Sequence, residues 1–378
     1  MDYSKIPSPC FVLDEARLRK NLELIRYVQD KAGVEIILAF KGFAMWSVFP
    51  LVREYIQGAT ASSLFEAQLC VDEMKTKAHV YAPAYIPDEF PELSSLASHM
   101  VFNSLTQFNT YFPQIQKSGK SISCGIRVNP EKSDVSTDLY NPSSPKSRLG
   151  ILKEYLPEKL PEGIDGMHFH VLCESDSYSL ERTLESFEKL FGSYLHELKW
   201  VNFGGGHLMT RQNYDVEHLI QLLKRFKEKY KVHIILEPGS AFAWDTGVLV
   251  SKVLDVVESR GVKTAILDVS FTAHMPDTLE MPYRPRIVGA PEPTSESRFL
   301  YRLGGLSCLA GDFMEVYDFG RELKIGDTVV FEDMIHYTMV KTTLFNGVGH
   351  PSIAIWKPDD TLQLVREFTY IDYKNRLS

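Results

Sequence analysis

Up to about residue 240, short apolar or β-branched runs alternate with amphipathic stretches. The strand-like runs are Val34–Phe40, Gly58–Ser62, Ala78–Ala82, His99–Phe102, Ser121–Val128, Gly166–Leu172, Lys199–Phe203 and His233–Glu237. Near-continuous apolarity is what strands buried on both faces of a parallel sheet require. The helices between them show by period. Leu180, Leu184, Phe187 and Phe191 step by four, three and four, which lines one helix face. Ser63 followed by Glu66 has the spacing of a capping box and predicts a helix start. About eight such strand–helix units predict a (β/α)8 barrel. No GxGxxG follows the first strand, which weighs against a Rossmann sheet.

From about Gly247 the texture changes. Val248–Val257, Thr264–Val269, Asp327–Phe331 and Ser352–Trp356 are strand-like without alternating helices, so a second, mainly β domain is expected. Cys10-Phe11-Val12-Leu13 adds a strand to it, because the barrel pattern begins cleanly only near residue 14. The expected class is therefore α/β. A TIM-like barrel over residues 14–245 precedes a mainly β C-terminal domain over residues 246–378, joined by residues 1–13.

Composition narrows the picture. Of 378 residues, 44% are hydrophobic and 24% charged, as in a folded globular chain rather than a disordered one. No apolar run approaches the roughly 18 residues that cross a bilayer. Met1-Asp2-Tyr3-Ser4-Lys5 lacks the apolar stretch of a signal peptide. Five cysteines, an odd number without a CxxC pair, argue against a disulfide framework and for a reducing cytoplasm. A net charge of −8 gives nucleic acid no general attraction and suits a small cationic substrate.

In such barrels catalytic groups sit where strands end and loops begin. The first run ends Ala39-Phe40-Lys41-Gly42. A lysine there points at the barrel mouth, where partial burial lowers its pKa and favours bonding to a carbonyl; a surface lysine would end a strand the same way. His168-Phe169-His170 puts two histidines on one face of the sixth strand by alternation. They could ligate zinc, for which no third ligand is evident nearby, or one could stack on a flat cofactor ring. Gly204-Gly205-Gly206 after the seventh run could cradle a phosphate or make a tight turn. The eighth run ends Glu237-Pro238-Gly239, a carboxylate suited to a ring nitrogen followed by another exposed glycine. Lysine, histidine, glycine nest and glutamate, in that order at strand ends, describe a pyridoxal phosphate site.

With these motifs the chain resembles the fold-type III pyridoxal-phosphate decarboxylases, the group of alanine racemase, ornithine decarboxylase and diaminopimelate decarboxylase. Lys41 matches the cofactor-bonding lysine, His170 the ring-stacking histidine, Gly204–Gly206 the phosphate loop and Glu237-Pro238-Gly239 the glutamate motif. Cys308-Leu309-Ala310-Gly311-Asp312 matches the cysteine–aspartate motif, and Tyr337 the tyrosine near the phosphate. Within the group it resembles the carboxynorspermidine/carboxyspermidine decarboxylase family. Phe40–Ala44, His168–Glu174, Trp200–His207, His274-Met275-Pro276-Asp277 and Ile335-His336-Tyr337-Thr338 carry that likeness. Ser240 stands where related decarboxylases have arginine and relatives in this family can carry an acidic residue. Leu309 replaces an acidic or small residue.

The resemblance implies a decarboxylase of polyamine biosynthesis that uses pyridoxal 5'-phosphate and a cationic carboxylated polyamine, with no metal and no nucleic-acid or membrane partner. It implies that Lys41 bonds the cofactor and that Glu237 holds a proton on its ring nitrogen, which favours decarboxylation over racemisation. Cys308 would return a proton to the substrate carbon. The Cys308–Asp312 motif would enter the site of a second subunit, so a homodimer is implied. Asp277, Asp312, Glu174, Ser240 and His274 are the candidate substrate contacts. Arg148 resembles an arginine near the cofactor's phenolic oxygen. The competing readings are an ornithine, lysine or diaminopimelate decarboxylase, and a non-catalytic cofactor-binding relative.

Overall fold

In a computed structural model, which describes residues 1–135, 141–144, 146–280 and 283–378, the chain divides into two compact units. One is Asn21–Phe242; the other joins Met1–Lys20 to Ala243–Ser378.

The Asn21–Phe242 unit is the barrel. Its strands are Glu35–Ile36 with Leu38–Ala39, then Ala59–Ala61, Ala78–Tyr81, Ala97–Phe102, Ser123–Arg127, Ile164–His168, Trp200–Asn202 and His233–Leu236. Every pairing is parallel. The first stretch is one run interrupted at Ile37. Its front half pairs with His233–Leu236 and its back half with Ala59–Ala61. The Ile37 N–H donates to the Leu236 carbonyl at 2.9 Å and the Leu38 N–H to that of Gly58 at 3.2 Å, so first and last strands meet. The expected eight-unit order is thus present.

The helices follow from the same local rules. Leu180, Leu184, Phe187 and Phe191 are all buried on the Ser177–Leu195 helix, where Phe187 packs 4.6 Å from Phe169. The Leu64–Leu69 helix starts at Ser63, whose Oγ accepts from the Glu66 N–H at 3.2 Å. Glu66 reaches one residue further back than a capping box does, accepting from the Ser62 N–H at 2.6 Å. The sixth strand departs from expectation, because it stops at His168 rather than running to Leu172. Side chains take the next carbonyls: Arg127 Nη2 donates to that of His170 at 3.0 Å and Ser133 Oγ to that of Val171 at 2.8 Å.

The second unit is a mixed sheet. Cys10–Asp14 lies inside it, antiparallel to Gly247–Ser259 and parallel to Ser352–Trp356. The Asp14 N–H donates to Thr246 O at 2.7 Å, and Lys357 Nζ lies 2.7 Å from Glu15 Oε2. These bonds tie the start of the Glu15–Ala32 helix to this unit, so the division falls at residue 20 rather than 14. Leu300–Gly304, Phe313–Asp318 and Leu362–Arg366 are further strands beyond those expected. Leu362–Arg366 pairs on one side only and is largely exposed, so it carries little apolar signal. Among the described residues no helix is long and apolar enough to cross a membrane.

Candidate active site

The polar residues of the barrel unit gather where its parallel strands end. Lys41 follows Leu38–Ala39, Arg127 ends Ser123–Arg127, His168 ends Ile164–His168, and Glu237 directly follows His233–Leu236. With Thr60, Tyr81, Arg148 and His170 they line a cavity of about 190 Å³. Thus Lys41, His170, Glu237 and Arg148 come together.

One relay fixes the protons at its centre. The Gly205 N–H donates to His170 Nδ1 at 3.1 Å, so the neutral ring carries its proton on Nε2. That nitrogen lies 3.3 Å from Lys41 Nζ. Burial, then the Arg127 cation, lowers the pKa of Lys41. Burial, then Lys41 and Arg127, holds His170 well below the usual histidine range. The His170 Nε2–H can therefore donate to Lys41 Nζ whenever the amine is unprotonated, the nucleophilic form that a lowered pKa favours.

Glu237 is buried opposite this pair. Asn202 Nδ2 donates to its Oε1 at 2.7 Å, and Oε2 lies 3.8 Å from His168 Nε2. Burial raises its pKa against the pull of Asn202, Lys41 and Arg127. The donor atoms of His168, His170 and Glu237 all lie within 4.8 Å of one another. The last strand thereby supplies the third metal-type ligand that the sequence did not show nearby. The adjoining Arg127 cation opposes a divalent ion there.

The glycine run packs against neighbouring backbone too closely to admit side chains. Gly204 and Gly206 have φ of +68° and +85°. A Cβ on Gly205 would lie 2.4 Å from the Glu237 carbonyl oxygen, and one on Gly206 2.2 Å from that of Leu172. The Gly204 and Gly205 N–H groups are committed to Asn202 Oδ1 at 2.8 Å and to His170. These two glycines therefore contribute close backbone packing rather than free donors. Gly239 sits backbone to backbone with Gly42 beside them. Ser240 Oγ and Glu174 Oε1 are 3.4 Å apart, and Glu174 has a φ of 46°.

Sequence reasoning missed Arg127, Tyr81, Asn103 and Asn202. The Arg127 guanidinium lies over the Tyr81 ring at 4.6 Å, and the Tyr81 hydroxyl donates to Asn103 Oδ1 at 2.9 Å. Asn103 Nδ2 donates to the Arg148 carbonyl at 2.8 Å. An arginine ending an apolar strand is the signal that singled out Lys41, so Arg127 was detectable. The asparagines act through partners distant in the sequence and left no such signal.

The remaining candidates belong to the other unit. Cys308 is exposed, and its N–H donates to Asn346 Oδ1 at 2.7 Å. Asp312 is buried. Its Oδ1 accepts from the Thr272 N–H at 3.0 Å and its Oδ2 from the Ser307 N–H at 2.9 Å, so it braces the Cys308 loop. His274 is wholly buried; its Nδ1 accepts from the Ser270 N–H at 3.1 Å, the placement of a core histidine. Burial, then His350, pushes its pKa down to about 3. Asp277 Oδ2 accepts from Tyr283 at 3.0 Å and Thr338 at 2.7 Å. Tyr337 has a φ of 36° and follows His336, which stacks on Trp244 at 5.4 Å.

The family described as pyridoxal-dependent decarboxylase, C-terminal sheet domain, matches residues 10–335. The carboxyaminopropylagmatine decarboxylase of Synechocystis sp. is 50% identical over 375 residues, spanning 99% of this chain and 96% of that protein. The carboxynorspermidine/carboxyspermidine decarboxylase of Campylobacter jejuni is 44% identical over the full length of both chains. The crystal structure of carboxynorspermidine decarboxylase complexed with norspermidine, from Campylobacter jejuni, has a TM-score of 0.90 at 43% identity, covering 98% of this chain and 100% of that one. A lysine–histidine–glutamate site on a barrel with a sheet domain, joined to full-length similarity of this degree, establishes that the chain belongs to the pyridoxal-dependent decarboxylases, in the group of the carboxynorspermidine/carboxyspermidine and carboxyaminopropylagmatine decarboxylases.

Proposed function

We propose that this protein decarboxylates carboxynorspermidine, carboxyspermidine or both, releasing carbon dioxide and norspermidine or spermidine. The observation that carries the reading is Lys41, its pKa lowered by burial, beside His170 in one cavity with the buried Glu237. Full-length similarity to the Campylobacter enzyme supports the substrate.

The residues fit pyridoxal 5'-phosphate. Lys41 would bond its aldehyde, the His170 ring would lie against its ring, and Glu237 would hold a proton at the ring nitrogen. The turn of Gly204, Gly205 and Gly206, packed directly against the His170 and Glu237 segments, is assigned to the phosphate with Gly239 by resemblance. Tyr337 is assigned to the phosphate end and Arg148 to the phenolic oxygen by resemblance. When bound, this cofactor supplies the electron-withdrawing ring that takes up the electron pair freed as carbon dioxide leaves.

The protein's own groups do the rest. A buried glutamate keeps its proton more tightly than an exposed one, and Asn202 orients that carboxyl. His170 Nε2 lies beside Lys41 Nζ, where it can orient the amine. Cys308 is assigned the proton that replaces the carboxylate on the substrate carbon. By resemblance its loop serves a second subunit, so we propose a homodimer. Its five free cysteines suit a reducing cytoplasm.

A second reading rests on the relative that is 50% identical, a carboxyaminopropylagmatine decarboxylase. All three substrates share the aminocarboxypropyl end and differ in the distal cation, an ammonium or a guanidinium. Mass spectrometry of products from carboxynorspermidine, carboxyspermidine and carboxyaminopropylagmatine tests the proposal. The two carboxylated triamines should yield norspermidine and spermidine at the higher kcat/KM. Preference for the guanidine would replace this reading with the second.

A further inference from the structure

Asp277 sits in an asymmetric setting. A carboxylate oxygen accepts about two hydrogen bonds. Its Oδ2 takes one from the Tyr283 hydroxyl at 3.0 Å and another from Thr338 Oγ1 at 2.7 Å, so it is filled. Its Oδ1 is shielded from solvent and has no hydrogen-bond partner among the described residues. Leaving one oxygen of an anion buried and unpaired is costly unless a donor arrives from elsewhere.

We propose that Tyr283 and Thr338 are positioning residues that occupy Oδ2 and so aim Oδ1 of Asp277 at an ammonium N–H of the polyamine substrate, an inference that rests on the decarboxylase reading above. The two hydroxyls come from separate parts of the chain, lie 3.4 Å apart and both bond Oδ2, so that oxygen is held at two points. Thr338 is buried in the segment that carries Tyr337, so its rotamer is held by packing. Burial, then the Asp277 charge, raises the pKa of Tyr283, so its hydroxyl remains a donor. Removing either hydroxyl lets the carboxylate turn and offers Oδ2 as a competing acceptor. The loss falls on substrate binding, because neither residue is assigned a part in the bond that breaks.

The test is steady-state kinetics of the holoenzyme with carboxynorspermidine and carboxyspermidine. Thr338→Val keeps shape and removes the donor; KM should rise about tenfold, the size expected of one hydrogen bond to a charged group, with kcat within about twofold. Thr338→Ser should restore KM. Tyr283→Phe, at a more exposed position, should move KM the same way and carries the test if Thr338→Val does not fold. An unchanged KM in Tyr283→Phe and Thr338→Val overturns the inference, as does a raised KM that serine fails to rescue. If the unaltered enzyme turns over neither substrate, the substrate reading itself fails and takes this role of Asp277 with it.

Discussion

Two glycine-to-alanine substitutions in the same barrel should act with opposite sign. At Gly205 an added Cβ would stand 2.4 Å from the Glu237 carbonyl oxygen and 3.1 Å from His170 Cε1. An ordinary carbon–oxygen contact needs roughly 1 Å more than the first distance allows. The obstacle is backbone, pinned by the Glu237 N–H donating to Gly204 O at 2.8 Å, so it cannot swing aside as a side chain would. Either the glycine turn or the start of the Glu237 segment must move, and both hold the relay to Lys41. Overpacking of this kind costs about 1–3 kcal/mol of stability. A displacement of about 1 Å at a reacting site costs on the order of a hundredfold in rate. Gly192, inside the Ser177–Leu195 helix, is the contrast. Its nearest neighbour to an added Cβ is Tyr230 Oη at 3.7 Å, an ordinary contact. Gly192→Ala should therefore stabilise by about 0.5–1 kcal/mol and leave turnover alone. Urea unfolding gives the stabilities, and decarboxylation rates with cofactor titration give the function. Wild-type cofactor binding and rate in Gly205→Ala would refute this close packing.

Two further outcomes follow. Glu237→Gln keeps the shape and the Asn202 contact but removes the ionisable carboxyl, so kcat should fall far more than bound cofactor; equal losses would place Glu237 away from the ring nitrogen. Acid should destabilise the fold early, because burial above all holds His79 and His274 near about 3 and His207 near about 4, against an ordinary 6.5. Below 6.5 the unfolded chain binds protons that the native one refuses, so stability is complete above 6.5 and falls as pH drops towards those values. Each group costs about 1.4 kcal/mol for the first full unit, so the three together should remove roughly 4 kcal/mol between pH 7.5 and 5.5, and a flat profile in urea titrations would contradict their burial.

The barrel was legible because strands buried on both faces are mostly apolar or β-branched, and the eight runs from Val34 to Glu237 stand out in that way against the amphipathic stretches between them. The helix stripe at Leu180, Leu184, Phe187 and Phe191 was legible for the matching reason. Lys41 and Glu237 stood out as charges at the ends of such runs. Arg127 obeys the same rule and was passed over, since it resembles no cofactor ligand in isolation. Residues whose role lies in a partner could not be read from spacing. Asn202 gains meaning only through Glu237, Asp312 only through the Thr272 and Ser307 amides, and Thr338 only through Asp277. The sheet unit was half legible. Residues 10–13 and 247–250 are apolar where they pair with each other, whereas Leu362–Arg366 is largely exposed.

The central claim is that Lys41, with its pKa lowered by burial and Arg127 and its Nζ beside the His170 that Gly205 orients, is the residue that holds the cofactor. Borohydride reduction of the holoenzyme makes that bond permanent, and peptide mapping by mass spectrometry then locates it. The account predicts a pyridoxyl group on Lys41 in stoichiometric amount, and none in Lys41→Ala. A label on any other lysine would contradict it.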